Sequence, residues 1–191
     1  MPTVSIVVPA FNEARRIGAT LERMSAWLRG QPWTYEVVVV DDGSTDDTQA
    51  IVAAAAQRDP NIRLLAQPRN RGKGAAVRAG MLDAAGARLL FSDADLATPI
   101  EELSKLMQSL DAGADIAIGS RALKESDIRT RQHPARELMG RTFNRIVRAL
   151  VIDGIADTQC GFKLFTRTAG RDVFARATTD GFAFDVEVML L

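Results

Sequence analysis

Three short apolar runs, Val4 to Val8, Glu36 to Val40 and Arg88 to Phe91, each end in polar or acidic residues, with helix-length stretches between them. Runs rich in valine, isoleucine and leucine, with little polar alternation, belong to strands buried on both faces. Such strands, separated by helices, build a mostly parallel sheet covered on both sides, so the expected fold class is α/β. In an open sheet of this kind ligands bind at the carboxyl ends of the strands. Those ends are Pro9-Ala10-Phe11-Asn12-Glu13, Asp41-Asp42-Gly43-Ser44-Thr45-Asp46 and Ser92-Asp93-Ala94-Asp95.

The pattern between these runs can be read locally. A first strand over about Thr3 to Pro9 leads to a helix from about Glu13 to Arg29, capped by Asn12, with Ile17, Leu21, Met24 and Leu28 on one face. The second strand runs to Asp41, and Ser44 or Thr45 caps a helix through Gln57. Asp59-Pro60-Asn61 turns into a short strand, Ile62 to Ala66, and a small-residue helix reaches Ala84. After the fourth strand, Pro99 opens a helix through about Leu110, and Ala114 to Gly119 reads as a fifth strand. The segment from Ser120 to His133 is polar and aperiodic, and a loop of that length is expected to be functional or mobile. A helix over about Pro134 to Leu150 stacks Met139, Phe143, Ile146 and Leu150 on one face and Arg141, Arg145 and Arg148 on the other. That basic face is either an ordinary solvated surface or a contact for anionic lipid headgroups.

Composition narrows the function. The 24 basic and 24 acidic residues among 191 cancel, so no global basic field argues for nucleic acid. The single cysteine, Cys160, has no internal disulfide partner, and a reducing compartment is the simpler expectation. We expect no signal peptide, because the chain runs directly into a strand, and no spanning helix, because no apolar stretch reaches about 18 residues. One domain over 1–191 is the economical count, and the apolar run Val186 to Leu191 leads us to expect that the native chain continues.

Two features carry chemistry. Asp93 and Asp95, one residue apart at a strand end, offer hard oxygen ligands to a divalent cation, Mn2+ or Mg2+, which in turn holds a diphosphate; a solvated acidic turn is the alternative. Lys73 lies between two glycines at a helix start, where amides and dipole favour anions. It is no phosphate-binding P-loop, since the required spacing is absent, and Gly72, Gly74 and Gly80 equally suit close packing of helix on sheet. Arg136 falls near the apolar stripe of its helix, where a guanidinium needs an anionic partner such as a substrate phosphate.

Taken together, Ile6 to Glu13, Val39 to Asp46, Asn70-Arg71-Gly72-Lys73-Gly74, Asp93-Ala94-Asp95 and Asp157-Thr158-Gln159-Cys160-Gly161-Phe162-Lys163 resemble the family 2 inverting glycosyltransferases. Within it, Gln159-Cys160-Gly161-Phe162-Lys163 and Phe182-Ala183-Phe184-Asp185-Val186-Glu187 resemble the dolichyl-phosphate or polyprenyl-phosphate β-glucosyltransferases in particular. The resemblance implies a GT-A-like, Rossmann-like domain, a UDP-sugar donor, a polyprenyl-phosphate acceptor and work at the cytoplasmic face of a membrane. It places Pro9, Ala10, Glu13, Asp41, Asp42, Lys73 and Asp93 with the donor, since Asp41 or Asp42 can accept from the uracil N–H while amides near Pro9 and Ala10 donate to its carbonyls. Asp95, with Asp93, would hold the metal. Arg121, Arg136 and Lys163 are candidates to position the acceptor. A phosphate monoester hardly needs deprotonation near neutral pH, so a general base is optional; Asp157 is the first choice and Asp185 the second.

One departure matters. The related mannosyltransferases usually carry glutamine two positions after the second aspartate of the pair, where this chain has Ala97, and that weakens a GDP-mannose donor. The haloacid-dehalogenase-like phosphatases also bear an Asp-x-Asp motif, but after the first strand. A hydrolase triad is disfavoured because the lone histidine, His133, sits in an arginine-rich loop. A processive polysaccharide synthase would need a Gln-x-x-Arg-Trp element, which is absent. A fragment that binds nucleotide sugar without turnover, and a family 2 transferase using GDP-mannose or a sugar hydroxyl acceptor, remain the alternatives.

Overall fold

A computed structural model describes residues 1–119 and 160–191. The expected helix over 134–150 and the candidates Arg121, Arg136 and Asp157 lie outside the described residues.

The chain alternates strand and helix in the order β1 (Val4–Ala10), α1 (Ile17–Leu28), β2 (Tyr35–Asp41), α2 (Thr48–Arg58), β3 (Ile62–Ala66), α3 (Lys73–Asp83) and β4 (Arg88–Ser92). A 3-10 turn, Ile100–Glu102, then leads into α4 (Leu103–Asp111) and β5 (Ile116–Ile118). Beyond the undescribed stretch come β6 (Phe162–Thr166), α5 (Arg167–Arg176) and α6 (Phe184–Leu190). The strands form one sheet in the order β3-β2-β1-β4-β6-β5. Strands β1 to β4 are parallel, whereas β6 runs antiparallel to both β4 and β5.

The uninterrupted apolar strands are buried on both faces for a visible reason. Ile6, Val8, Val37, Val39, Leu90 and Leu164 meet α1, α2 and α4 on one side, while Val7, Val38, Val40, Leu89, Phe91 and Phe165 meet α3, α5 and α6 on the other. Helix α1 buries Ile17, Leu21, Met24 and Leu28, the face that its spacing predicts. Helix α3 comes close to the sheet at Gly80, where a Cβ would collide with Val7 and Val40 side chains. Pro9 is tolerated in a central strand because pairing of β1 with β4 stops at Val7 and Phe91, leaving Pro9 a neighbour only on β2.

Order reverses at β1: β2 and β3 extend to one side and β4 to the other. A crevice outside the carboxyl ends of β1 and β4 is where an α/β sheet binds ligands. The Asp93-Ala94-Asp95 pair stands at that point.

Two local expectations change. Asn12 does not cap α1, which starts at Ile17; it takes φ of 54° and its Oδ1 accepts the Thr45 N–H at 2.9 Å. Nor do Ser44 or Thr45 cap α2, which starts at Thr48, because the Ser44 hydroxyl accepts the Asn12 N–H at 2.9 Å. These side chains tie two loops together instead of ending helices, a tertiary use of residues that favour either role.

Candidate active site

At the β1–β2 end of the cleft, carboxylates grip backbone. Asp46 accepts the Ala14 N–H at 3.1 Å and the Thr48 hydroxyl at 2.5 Å, and Thr48 in turn accepts the Glu13 N–H at 2.8 Å. The Thr48 hydroxyl is the main reason that Asp46 is held below the usual carboxylate range, with backbone amides adding to it. Asp42 spans to the start of α3: its two oxygens accept the N–H groups of Arg71 at 2.9 Å and Gly72 at 2.8 Å. Gly72 has φ of 103°, a conformation that only glycine takes without strain. Both Asp42 oxygens are therefore engaged in shaping the loop before Lys73.

Asp41 differs from its neighbour. It is fully buried, and one oxygen accepts the Ser44 N–H at 3.0 Å and the Gln49 amide at 2.6 Å. Its other oxygen, Oδ1, is buried without a hydrogen-bond partner among the described residues. An orphaned carboxylate oxygen at a ligand-binding edge has unused acceptor capacity. Of the pair Asp41 and Asp42, Asp41 is the one with an oxygen that has no hydrogen-bond partner among the described residues.

The β4 end is held by charges. The Asp93 N–H donates to the Gly161 carbonyl at 3.0 Å, and its carboxylate meets the Lys73 ammonium at 2.7 Å. Burial alone would depress Lys73, but the charges of Asp93, Asp185 and Asp95 outweigh it and raise its pKa, so the ammonium stays charged. Asp95 is exposed, and its Oδ1 accepts the Ala97 N–H at 3.0 Å. Glu13 is raised from the usual range by its own burial and by Asp95, Asp46 and Asp93, against the pull of Arg16. The residue expected beside the donor thus lies within the field of both aspartates.

The residues present fit a small divalent cation. Asp95 offers an exposed carboxylate one residue from Asp93, and Mg2+-like ions take one or two carboxylates and complete their shell with water and substrate phosphate. Among the described residues no three His, Cys, Asp or Glu side chains gather as an all-protein cage. A cation at this edge would draw its remaining ligands from the diphosphate.

Lys163 and Asp185 are placed differently from expectation. The Lys163 side chain is 0% exposed, and its ammonium donates to Asp185 Oδ1 at 2.5 Å and to the Cys160 carbonyl at 2.9 Å. An ammonium so enclosed does not reach an acceptor in the cleft, and a carboxylate so paired makes a poor general base. Burial pushes Asp185 above the usual range, although Lys163 and Lys73 oppose it.

Three features escaped sequence reasoning. Strand β6 was read only as a motif. Asp180 receives Arg71 at 3.2 Å and Arg78 at 2.5 Å, and Glu187 accepts the N–H groups of Thr178 at 2.9 Å and Thr179 at 2.8 Å. Asp180 and Glu187 fix the loop over the start of α3, and the acidic spacing around Phe184 was their one sequence signal. A groove beyond β3, lined by Leu65, Gln67, Arg69, Arg71, Ala79 and Asp180, adjoins this loop but contains neither aspartate of the pair.

An α/β domain with an acidic ligand-binding edge where the strand order reverses is the class that this fold defines. The chain belongs to glycosyl transferase family 2, whose model matches residues 5–174. It is similar to dolichyl-phosphate beta-glucosyltransferases of Trichomonas vaginalis, 42% identical over 98% of this chain and 58% of that one, and of Drosophila melanogaster, 41% identical over 98% and 62%. The human dolichyl-phosphate beta-glucosyltransferase is 36% identical over 98% of this chain and 62% of its own length. The chain thus spans about 60% of these relatives. In fold it matches glucosyl-3-phosphoglycerate synthase from Mycobacterium tuberculosis in complex with Mn2+, UDP-glucose and phosphoglyceric acid (TM-score 0.69, 20% identity, 98% of this chain and 64% of that one). It also matches the mannosyltransferase PcManGT from Pyrobaculum calidifontis in complex with GDP-Man and Mn2+ (TM-score 0.59, 24% identity, 88% and 45%).

Proposed function

We propose that this chain carries the catalytic part of a metal-dependent transferase that moves glucose, with inversion, from UDP-glucose to a polyprenyl phosphate of the dolichyl kind. The observation that carries this reading is the set Asp41, Lys73, Asp93 and Asp95 on one carboxyl edge, where the strand order reverses. Support for glucose and for a dolichyl-type acceptor comes from relatives of that name at 36–42% identity.

The chemistry follows from the residues. Mn2+ or Mg2+ held by Asp95 with Asp93 would neutralise charge that grows on the leaving diphosphate. Lys73 adds a charged ammonium beside the same aspartate, and such pre-placed charge favours the transition state. Asp41 Oδ1 accepts the uracil N–H, and Asp42 shapes the loop that presents Lys73. An oxygen of the acceptor phosphate forms the bond to the anomeric carbon as that carbon's bond to the diphosphate oxygen breaks, and UDP leaves with the electron pair. The acceptor is already anionic near neutral pH, so deprotonation is not required, and Asp157 stays the position to test for a base. Arg121 and Arg136 grip the acceptor phosphate, while Arg141, Arg145 and Arg148 meet an anionic membrane surface at its cytoplasmic face. Among the described residues no helix is long and apolar enough to cross a membrane.

Thermal shift with UDP-glucose, UDP-N-acetylglucosamine and GDP-mannose in Mn2+, paired with transfer of labelled glucose to a short prenyl phosphate, tests the reading. UDP-glucose stabilises most, and Asp41→Ala removes the preference for UDP over GDP; equal shifts with both nucleotides overturn the uracil site. Arg136→Ala lowers transfer to the soluble acceptor but spares vesicle binding. Reversing the charges of Arg141, Arg145 and Arg148 does the opposite. Unaltered transfer by Arg136→Ala, or a better sugar hydroxyl acceptor, overturns the phosphate grip.

A further inference from the structure

The pair of Lys163 and Asp185 is almost closed to solvent, yet it adjoins the groups around Asp93 and Lys73 at the β4 end. Lys163 sits on β6 opposite Phe91 of β4, two residues before Asp93, and its ammonium lies 4.9 Å from the Phe91 ring centroid. By donating to the Cys160 carbonyl it pins the residue before Gly161. Gly161 is the backing of Asp93: its carbonyl accepts the Asp93 N–H, and a Cβ on it would run into the Asp93 carboxylate. On the other side, Asp185 belongs to the first turn of α6, next to Phe184. The Phe184 ring packs 5.7 Å from the Phe91 ring and also lies 5.7 Å from the Lys73 ammonium. The pair therefore locks α6 to β6 at the point where both lean on the partners Lys73 and Asp93.

We propose that Lys163 and Asp185 are positioning residues, a buried charged strut that holds Asp93 and Lys73 in the arrangement that receives metal and diphosphate. Stability alone is a weak reason for such a pair, because well-packed apolar residues often replace buried ion pairs without loss. The alternation of Asp93, Lys73, Asp185 and Lys163 gives it another use. Lys73 pairs with Asp93, and the negative charge of Asp185, itself paired with Lys163, adds to the field that keeps Lys73 an ammonium. Second-layer partners of this kind orient metal ligands, and their loss typically weakens metal affinity 10- to 100-fold. The inference rests on the transferase reading for the identity of the ligand.

The test separates positioning from packing. Lys163→Met combined with Asp185→Leu replaces the strut by apolar side chains, and Asp185→Asn keeps shape and an acceptor oxygen but removes the charge. For both, the melting temperature, uridine binding by saturation-transfer NMR, and UDP binding titrated with Mn2+ are measured on the 191-residue chain. The double variant melts near the wild-type temperature and binds uridine unchanged, while the Mn2+ concentration that half-saturates UDP binding rises about ten-fold. Asp185→Asn moves the same quantity in the same direction and serves alone if the double variant does not fold. Wild-type Mn2+ dependence of UDP binding in either folded variant overturns the strut and leaves the transferase reading intact. Wild-type protein that binds no UDP with Mn2+ overturns that reading instead.

Discussion

At the β1–β2 end of the cleft the carboxylates of Asp42 and Asp46 are spent on backbone N–H groups, whereas at the β4–β6 end those of Asp93 and Asp185 are spent on ammonium groups. The first arrangement fixes loop shape and leaves one buried carboxylate oxygen, Asp41 Oδ1, without a hydrogen-bond partner among the described residues. In the second arrangement the contact of Lys73 with Asp93 is exchangeable, because an ammonium that pairs with a carboxylate can also pair with a phosphate, whereas Lys163 with Asp185 is enclosed. A base needs a rigid frame of directional hydrogen bonds, and a diphosphate with its cation needs charges that can be redistributed. The two ends of the edge thus differ in kind, fixed hydrogen bonds at one and paired charges at the other.

The sharpest way to break the comparison is Asp95→Asn. If the β4 end works through charge, this exposed substitution abolishes Mn2+-dependent UDP binding and changes stability by no more than about 0.5 kcal/mol. Calorimetric titration with and without Mn2+ checks it, and a variant that unfolds while its folded fraction still binds UDP sinks the assignment.

Asp42→Ala probes the other end. Removing a carboxylate that receives two amides destabilises the fold by about 2 kcal/mol, read as a lower urea midpoint. UDP binding falls equally with and without Mn2+, because the loop before Lys73 loses its shape rather than its charge. A loss seen only with Mn2+ would erase the distinction between the two ends.

The smallest effect concerns the clamp that closes the loop over α3. Burial opposes the charge on Glu187, but the Thr178 and Thr179 amides and the Thr178 hydroxyl overcome it and pull its pKa down to about 2, below the usual glutamate range. A carboxyl depressed on folding adds stability that is complete above its unfolded pKa and disappears as pH falls through the folded one. Glu187→Gln therefore flattens the decline of melting temperature between about pH 4.5 and about pH 2, and has the same pH dependence as wild type above that window. Parallel declines in both proteins would show that the clamp is not specific to the carboxylate.

Much of this frame was legible in the chain. The bounds of β3 coincide with the expected Ile62 to Ala66, and the buried face of α1 follows from its spacing. Asp93 and Asp95 were placed at a strand end by Arg88 to Phe91 immediately before them. Strand β6 was not legible as a strand, since Phe162-Lys163-Leu164-Phe165-Thr166 puts a lysine in its second position and only the register opposite Phe91 shows that the lysine points into the core. Asn12, Ser44 and Thr45 misled for a related reason: residues that cap helices also bridge loops, and the choice depends on which backbone group comes near.

By itself the sequence determined an α/β sheet with acidic strand ends, because strand burial and helix faces are set by patterns over a few neighbouring residues. Tertiary structure decided the partners of the charges. Asp42 meets Gly72 across 30 positions, and Lys163 meets Asp185 across 22. Which of two adjacent aspartates has an oxygen left unpartnered, and whether a lysine faces solvent or core, depends on what the fold brings within about 3 Å, and no local pattern encodes that distance.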